Sequence, residues 1–325
     1  MRGDRFGVCR SAALPRMPRD QRQRTIVKGI VPRSAARQDR RAIAALLGGA
    51  LIWGLIWYPY RVLRDGGIDG IAATTISYAV ALLFGLLHLR HSPERLSPSW
   101  SLLGLALAAG VCNLGYVLAT LGGEVMRVLL LFYLAPLWTV ALSRILLGER
   151  IRTAGALVVA LSLSGAAIML WHPHLGLPLP QDTADWLGLL AGFSFALFNV
   201  LSRRAQHLCI EHKVLAAISG VVAIGVVLLL AGIGGRQLAT TPALWLLLVL
   251  IGGILLLANR IVQFGLERVA ANRAIVIMLS ELGFAAIAAW LLAGETPTAR
   301  GWLGGALIVA ASLCAAWMET GDAPE

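Results

Sequence analysis

The chain is poor in charge: Asp, Glu, Lys and Arg make up 14% of its 325 residues, against about a quarter in soluble domains. What charge exists is unevenly placed. Residues 1–41 hold 12 of the 28 Lys and Arg, in runs such as "RDQRQR" and "RQDRR". The net charge of +11 therefore describes a basic, disordered tail ahead of a nearly neutral body, and no nucleic-acid partner is expected. Lysine is confined to Lys28 and Lys213. The four cysteines, Cys9, Cys112, Cys209 and Cys314, lie far apart, so they form no metal or redox motif and imply no disulfide framework. No apolar stretch leads to a small-residue cleavage site near the start, so a secretory signal is not expected. Nucleotide-binding motifs are missing too, both the P-loop and the Gly-rich dinucleotide fingerprint, which leaves no basis for ATP coupling or a cofactor. His172 and His174, in "WHPHLG", have no third ligand nearby, so no metal site is read there. An enzyme inside the bilayer needs neighbouring His, Asp or Cys, and the spans supply one central acid. The chain does not read as an enzyme.

What is abundant is apolar. Hydrophobic residues make up 58% of the chain, and the mean hydropathy is +0.76. They fall in blocks near the length needed to cross a bilayer, about 20 residues. Ten helices are expected, near 42–61, 70–89, 100–121, 125–147, 153–171, 185–205, 213–233, 242–264, 272–294 and 299–318. Helices are the economical choice because each backbone N–H finds its partner within the segment. The fold class is thus an all-α integral membrane protein, with the lipid bilayer as its first partner. Putting the tail inside leaves ten basic residues in inner loops and five in outer ones. That bias places both termini in the cytoplasm, including the short C-terminal tail 319–325.

The two halves, 42–171 and 185–318, resemble each other. "GALVVALSLSGAA" at 155–167 matches "GALIVAASLCAAW" at 305–317 at eight of thirteen positions. "LLGER" at 146–150 echoes "LAGET" at 292–296, and the same offset aligns Asn113 with Asn259 and Arg127 with Arg273. Five spans per half is odd, so the second half enters the membrane in the opposite sense. Such inverted repeats support alternating access around a midplane site.

Several stretches also resemble a known family. "LLFYLAPLWTVALSRILLGERI", "ADWLGLLAGFSFALFNVLSRRA", "AAIAAWLLAGETPTARGWLGGALIV" and the first-span "WGLIW" are similar to the EamA-type transporters of the drug/metabolite transporter superfamily. The likeness runs over residues 42 to 318. It implies ten helices with cytoplasmic termini and export of small metabolites or amino acids across a bacterial inner membrane. The family's ninth helix often reads "EP" near its middle, whereas this chain has Glu281 followed by Leu282. Pro136 keeps the equivalent proline in the fourth helix, so the ninth helix is expected to be straighter.

Glu281 sits nine residues past Asn272, about 14 Å along the helix and so near the midplane. Burying an acid at helix centre costs about 2.5–3.5 kcal/mol, which requires an offset. Two readings compete. Glu281 is either a working group, as a proton carrier or as a counter-charge for a substrate ammonium, or a structural one, in a fixed ion pair whose natural partner is Arg260 or as a protonated carboxyl hydrogen-bonded between helices. Arg260 in turn either meets a substrate carboxylate, with Asn259 beside it, or snorkels to the interface. Asn113, Tyr78, Tyr116, Trp53 and Asn199 join the candidate lining, although helix bridging and core packing serve them equally well. Glu149 and Glu295 read as interfacial and structural. The expected function is a secondary transporter exporting an amino acid or another amphipathic or zwitterionic metabolite, with protons as a plausible coupling partner. The alternative is a non-transporting membrane protein, such as a lipid-handling or partner-stabilising subunit.

Overall fold

The computed structural model describes residues 33–89, 99–148, 153–172, 177–206, 208–235, 241–266, 268–269, 274 and 277–318. These residues are helical apart from turns and one two-residue antiparallel pair, Trp171↔Pro178 and His172↔Leu177, which departs slightly from the all-α expectation. The helices are α1 (Arg33–Leu55), α2 (Trp57–Asp65), α3 (Gly70–Leu89), α4 (Trp100–Gly122), α5 (Val125–Phe132) and α6 (Ala135–Leu142). A π-helical turn, Ser143–Leu147, extends α6. Then follow α7 (Thr153–Leu170), α8 (Thr183–Arg204), α9 (Ile210–Leu230), α10 (Pro242–Leu266), α11 (Ser280–Ala293) and α12 (Ala299–Met318). Seven spans are long and apolar enough to cross a membrane, and three further apolar helices are shorter. Helix α1 starts at Arg33, inside the stretch 1–41 that reads as tail; residues 1–32 and 319–325 lie outside the described residues. Cys112 and Cys314 are free.

Local chemistry explains the boundaries. The Ser99 side chain accepts from Leu102 N at 3.2 Å and Asp182 accepts from Asp185 N at 2.8 Å, each capping a helix start. Gly148 and Gly294 end their helices in the left-handed conformation, φ +71° and +66°, which favours glycine. The two caps occupy matching places in "LLGER" and "LAGET".

Large apolar side chains cover the outside, among them Leu83 and Phe84 on α3, Leu246 and Leu257 on α10, and Trp290 on α11. A surface of this kind requires lipid rather than water. Inside, Trp57, Tyr60, Leu63, Leu129, Leu248, Ile251 and Leu255 form part of the main core. Helix α4 packs on α8 and α9, α3 on α9 and α10, α1 on α10 and α11, α5 and α6 on α8, and α7 on α12. Between apolar helices in lipid, close approach has to come from small residues. A Cβ on Gly220 would lie 1.9 Å from Ala106 O, one on Gly252 2.7 Å from Ser77 O, and one on Gly304 2.5 Å from Gly165 O.

Two spans are broken in mid-course. The fourth stops at Phe132 and resumes at Ala135, because Pro136 has no N–H to offer Phe132 O. The ninth is interrupted at Leu279, where Leu282 N bonds back to Leu279 O at 3.1 Å in a tight turn. This interruption forms without a proline. The alignment that pairs Asn113 with Asn259 also pairs Tyr133 with Leu279, so the breaks fall at matching positions.

Candidate functional site

Glu281 lies in the first turn of α11, directly after the break. There the unpaired N–H groups of a helix start favour a negative charge. Its Oε2 accepts a hydrogen bond from the Tyr133 hydroxyl at 3.2 Å, so acid and donor meet from the two broken spans. Glu281 is half-buried. Among the described residues it forms no ion pair; its partner is Tyr133 and not Arg260.

Aromatic rings pack beside this acid. Phe132 stacks edge-on with Tyr116 (5.6 Å between centroids) and with Tyr133 (5.9 Å), and it touches Phe195 at 5.2 Å. The buried Tyr116 hydroxyl has no hydrogen-bond partner among the described residues. A hydroxyl left this way is costly in an apolar interior unless something binds it.

The remaining candidates are placed as follows. Tyr78 OH donates to Asn113 Oδ1 at 2.5 Å, and Asn113 Nδ2 donates to Ala109 O at 2.8 Å, so these two bridge α3 and α4. Asn259 Nδ2 donates to Leu255 O at 2.9 Å, the same four-residue back-bond that Asn113 makes. Arg260 is exposed on α10, Asn199 is half-buried on α8, and half-buried Trp53 on α1 packs against the core. Gly54 brings α1 against α11, since a Cβ there would meet Glu281 O at 2.9 Å. Gly192 does the same for α8 against α5, 2.5 Å from Phe132 O. Among the described residues no group of three His, Cys, Asp or Glu could hold a metal.

Sequence reasoning missed two features. Tyr133 was legible as an interior tyrosine, but nothing marked it out from Tyr78 or Tyr116. At one end of the bundle, Asp185, only 1% exposed, accepts both Arg127 Nε and Nη2 at 2.7 Å. Gln181 N adds a third bond to it at 2.9 Å. Arg61 pairs with Glu295 at 3.0 Å. In the sequence these residues look like ordinary span-end charges.

Long apolar helices, a lipid-facing exterior and an acid held inside at helix breaks together define a multi-pass α-helical membrane protein. The chain belongs to the EamA-like transporter family, whose profile matches residues 40–171 and again 182–317. It is 27% identical over 281 residues to an uncharacterized transporter of Archaeoglobus fulgidus, covering 85% of this chain and 96% of that one. It is also 28% identical over 177 residues to the protein RarD of Streptomyces exfoliatus, covering 52% of this chain and 54% of RarD, so the match spans about half of that relative. A solved crystal structure shares the fold, with a TM-score of 0.59 at 16% identity, over 87% of this chain and 98% of that one.

Proposed function

We propose that the protein is a secondary active transporter that exports a small metabolite bearing an ammonium group across a bacterial inner membrane, in exchange for protons. The observation that carries this reading is Glu281: half-buried, unpaired by any described cation, and held by Tyr133 where two helices break. Carboxylates kept inside a bilayer mark ion and substrate pathways, and interrupted helices border midplane sites in transporters. The rings of Tyr116, Phe132 and Tyr133 offer faces to an amphipathic cation. Arg260, exposed on α10, is the candidate for a substrate carboxylate.

Ten spans in two inverted halves supply alternating access in this reading. Several observations support the duplication: the double family match, the matching left-handed caps, the identical back-bonds of Asn113 and Asn259 and the matching breaks. Helix pairing supports it as well. Exchanging each span with the one five places away turns the packing of α4 on α8 into that of α10 on α1, and α9 on α4 into α3 on α10.

The test is proton flux in proteoliposomes with a panel of amines and amino acids, comparing wild type with Glu281→Gln. Wild type is expected to show substrate-dependent flux and the variant to lose it. Equal flux in both would remove Glu281 from the mechanism, and silence across the panel in wild type would count against transport itself.

A further inference from the structure

Arg61, on α2, and Glu295, just past the end of α11, do more than pair with each other. Arg61 donates to Thr120 O at 3.2 and 3.1 Å and to Gly123 O at 2.9 Å, gripping the end of α4. Glu295 accepts from Val125 N at 2.7 Å with its other oxygen, gripping the start of α5. Arg64, one turn on from Arg61, donates to Leu121 O. The cation thus meets the carbonyl end of one helix and the anion the amide end of the next, each complementing the local helix dipole. Both side chains are mostly shielded, 17% and 14% exposed, so water screens the pair weakly. The Arg61 guanidinium also lies 4.9 Å over the Trp57 ring.

The position of this clamp gives it a role. Helix α11 packs mainly on α1, and α5 mainly on α8. Gly54 and Gly192 make those two contacts backbone-close. Helices α11 and α5, which carry Glu281 and lead to Tyr133, also touch each other directly. Val125 stands eight residues before Tyr133, about 12 Å along α5. The clamp links these two helices at one end of the bundle.

We infer that Arg61 and Glu295 form the gate on this side of the internal site, which must release the α4–α5 turn before a solute can leave. The inference rests on the transporter reading, under which this is the outer side. Opening separates the turn from α11, and closure re-forms three bonded grips at once.

The experiment uses full-length protein in proteoliposomes, with native cysteines replaced by alanine and spin labels at Glu124→Cys and Leu292→Cys. The clamp-intact protein is expected to give mainly a short inter-label distance. Glu295→Gln keeps an acceptor for Val125 N while losing the charge, and it is expected to raise the ratio of long to short distances about tenfold. Arg61→Lys keeps the charge but cannot span the carbonyls and carboxylate together, and is expected to shift the ratio less. It carries the test should Glu295→Gln not yield folded protein. Distances that superimpose on those of the intact clamp overturn the gate. The solute panel on the same vesicles separates the two ideas. Widened distances with no solute moved keep the gate and remove the transporter, whereas unchanged distances with solute-coupled flux do the opposite.

Discussion

Single side chains in this protein bear unequal burdens, and Asp185 bears one of the largest. It is almost fully buried and neutralised by one forked guanidinium. Removing one partner of a buried pair strands the other charge, which typically costs about 3–5 kcal/mol. Arg127→Met is therefore expected to lower thermal stability by an amount near the bottom of that range, since Gln181 N still holds Asp185. The midpoint of unfolding of purified protein in detergent checks this; an unchanged midpoint would mean the pair is dispensable. Glu281 shows how far single residues were legible. Hydropathy marked it as an acid inside an apolar run, because that much can be read by counting. Its partner did not follow, because only the packing of α5 beside α11 brings Tyr133 to it.

Between elements, backbone-close contacts set the geometry of the site. The Phe132 carbonyl, to which Pro136 cannot donate, lies against Gly192, where a methyl group would come within 2.5 Å of that oxygen and 3.0 Å of the Phe132 Cα. Backbone cannot move aside as a flexible side chain can. Gly192→Ala is expected to part α8 from α5 and cost about 1–3 kcal/mol as overpacking does, with Tyr133 drawn away from Glu281. Thermal unfolding together with proton flux would show both effects; a fully active, equally stable variant would contradict the packing described. Element boundaries were largely readable, because apolar runs and glycine or capping residues mark them. The break at Leu279 was not, since nothing in "IVIMLSELG" corresponds to the proline that breaks the fourth span.

For the molecule as a whole, the placement of positive charge predicts which face meets the cytoplasm. A fluorescent protein fused after Glu325 is expected to fluoresce, and alkaline phosphatase inserted after Gly235, between α9 and α10, is expected to be active. Reversed signals would invert the orientation and turn the proposed outer gate into an inner one. The sequence offered this topology through loop arginines alone, whereas the Arg61–Glu295 clamp stayed hidden because its parts are brought together only by tertiary folding.

That clamp draws Arg61 and the α4–α5 turn from the first half of the chain and Glu295 from the second. Neither half could assemble it alone. Were the gene cut between the repeats, the two products would have to find each other before that end of the bundle could shut. A change at Arg61 or at Glu295 would therefore disturb contacts that both halves of the chain supply.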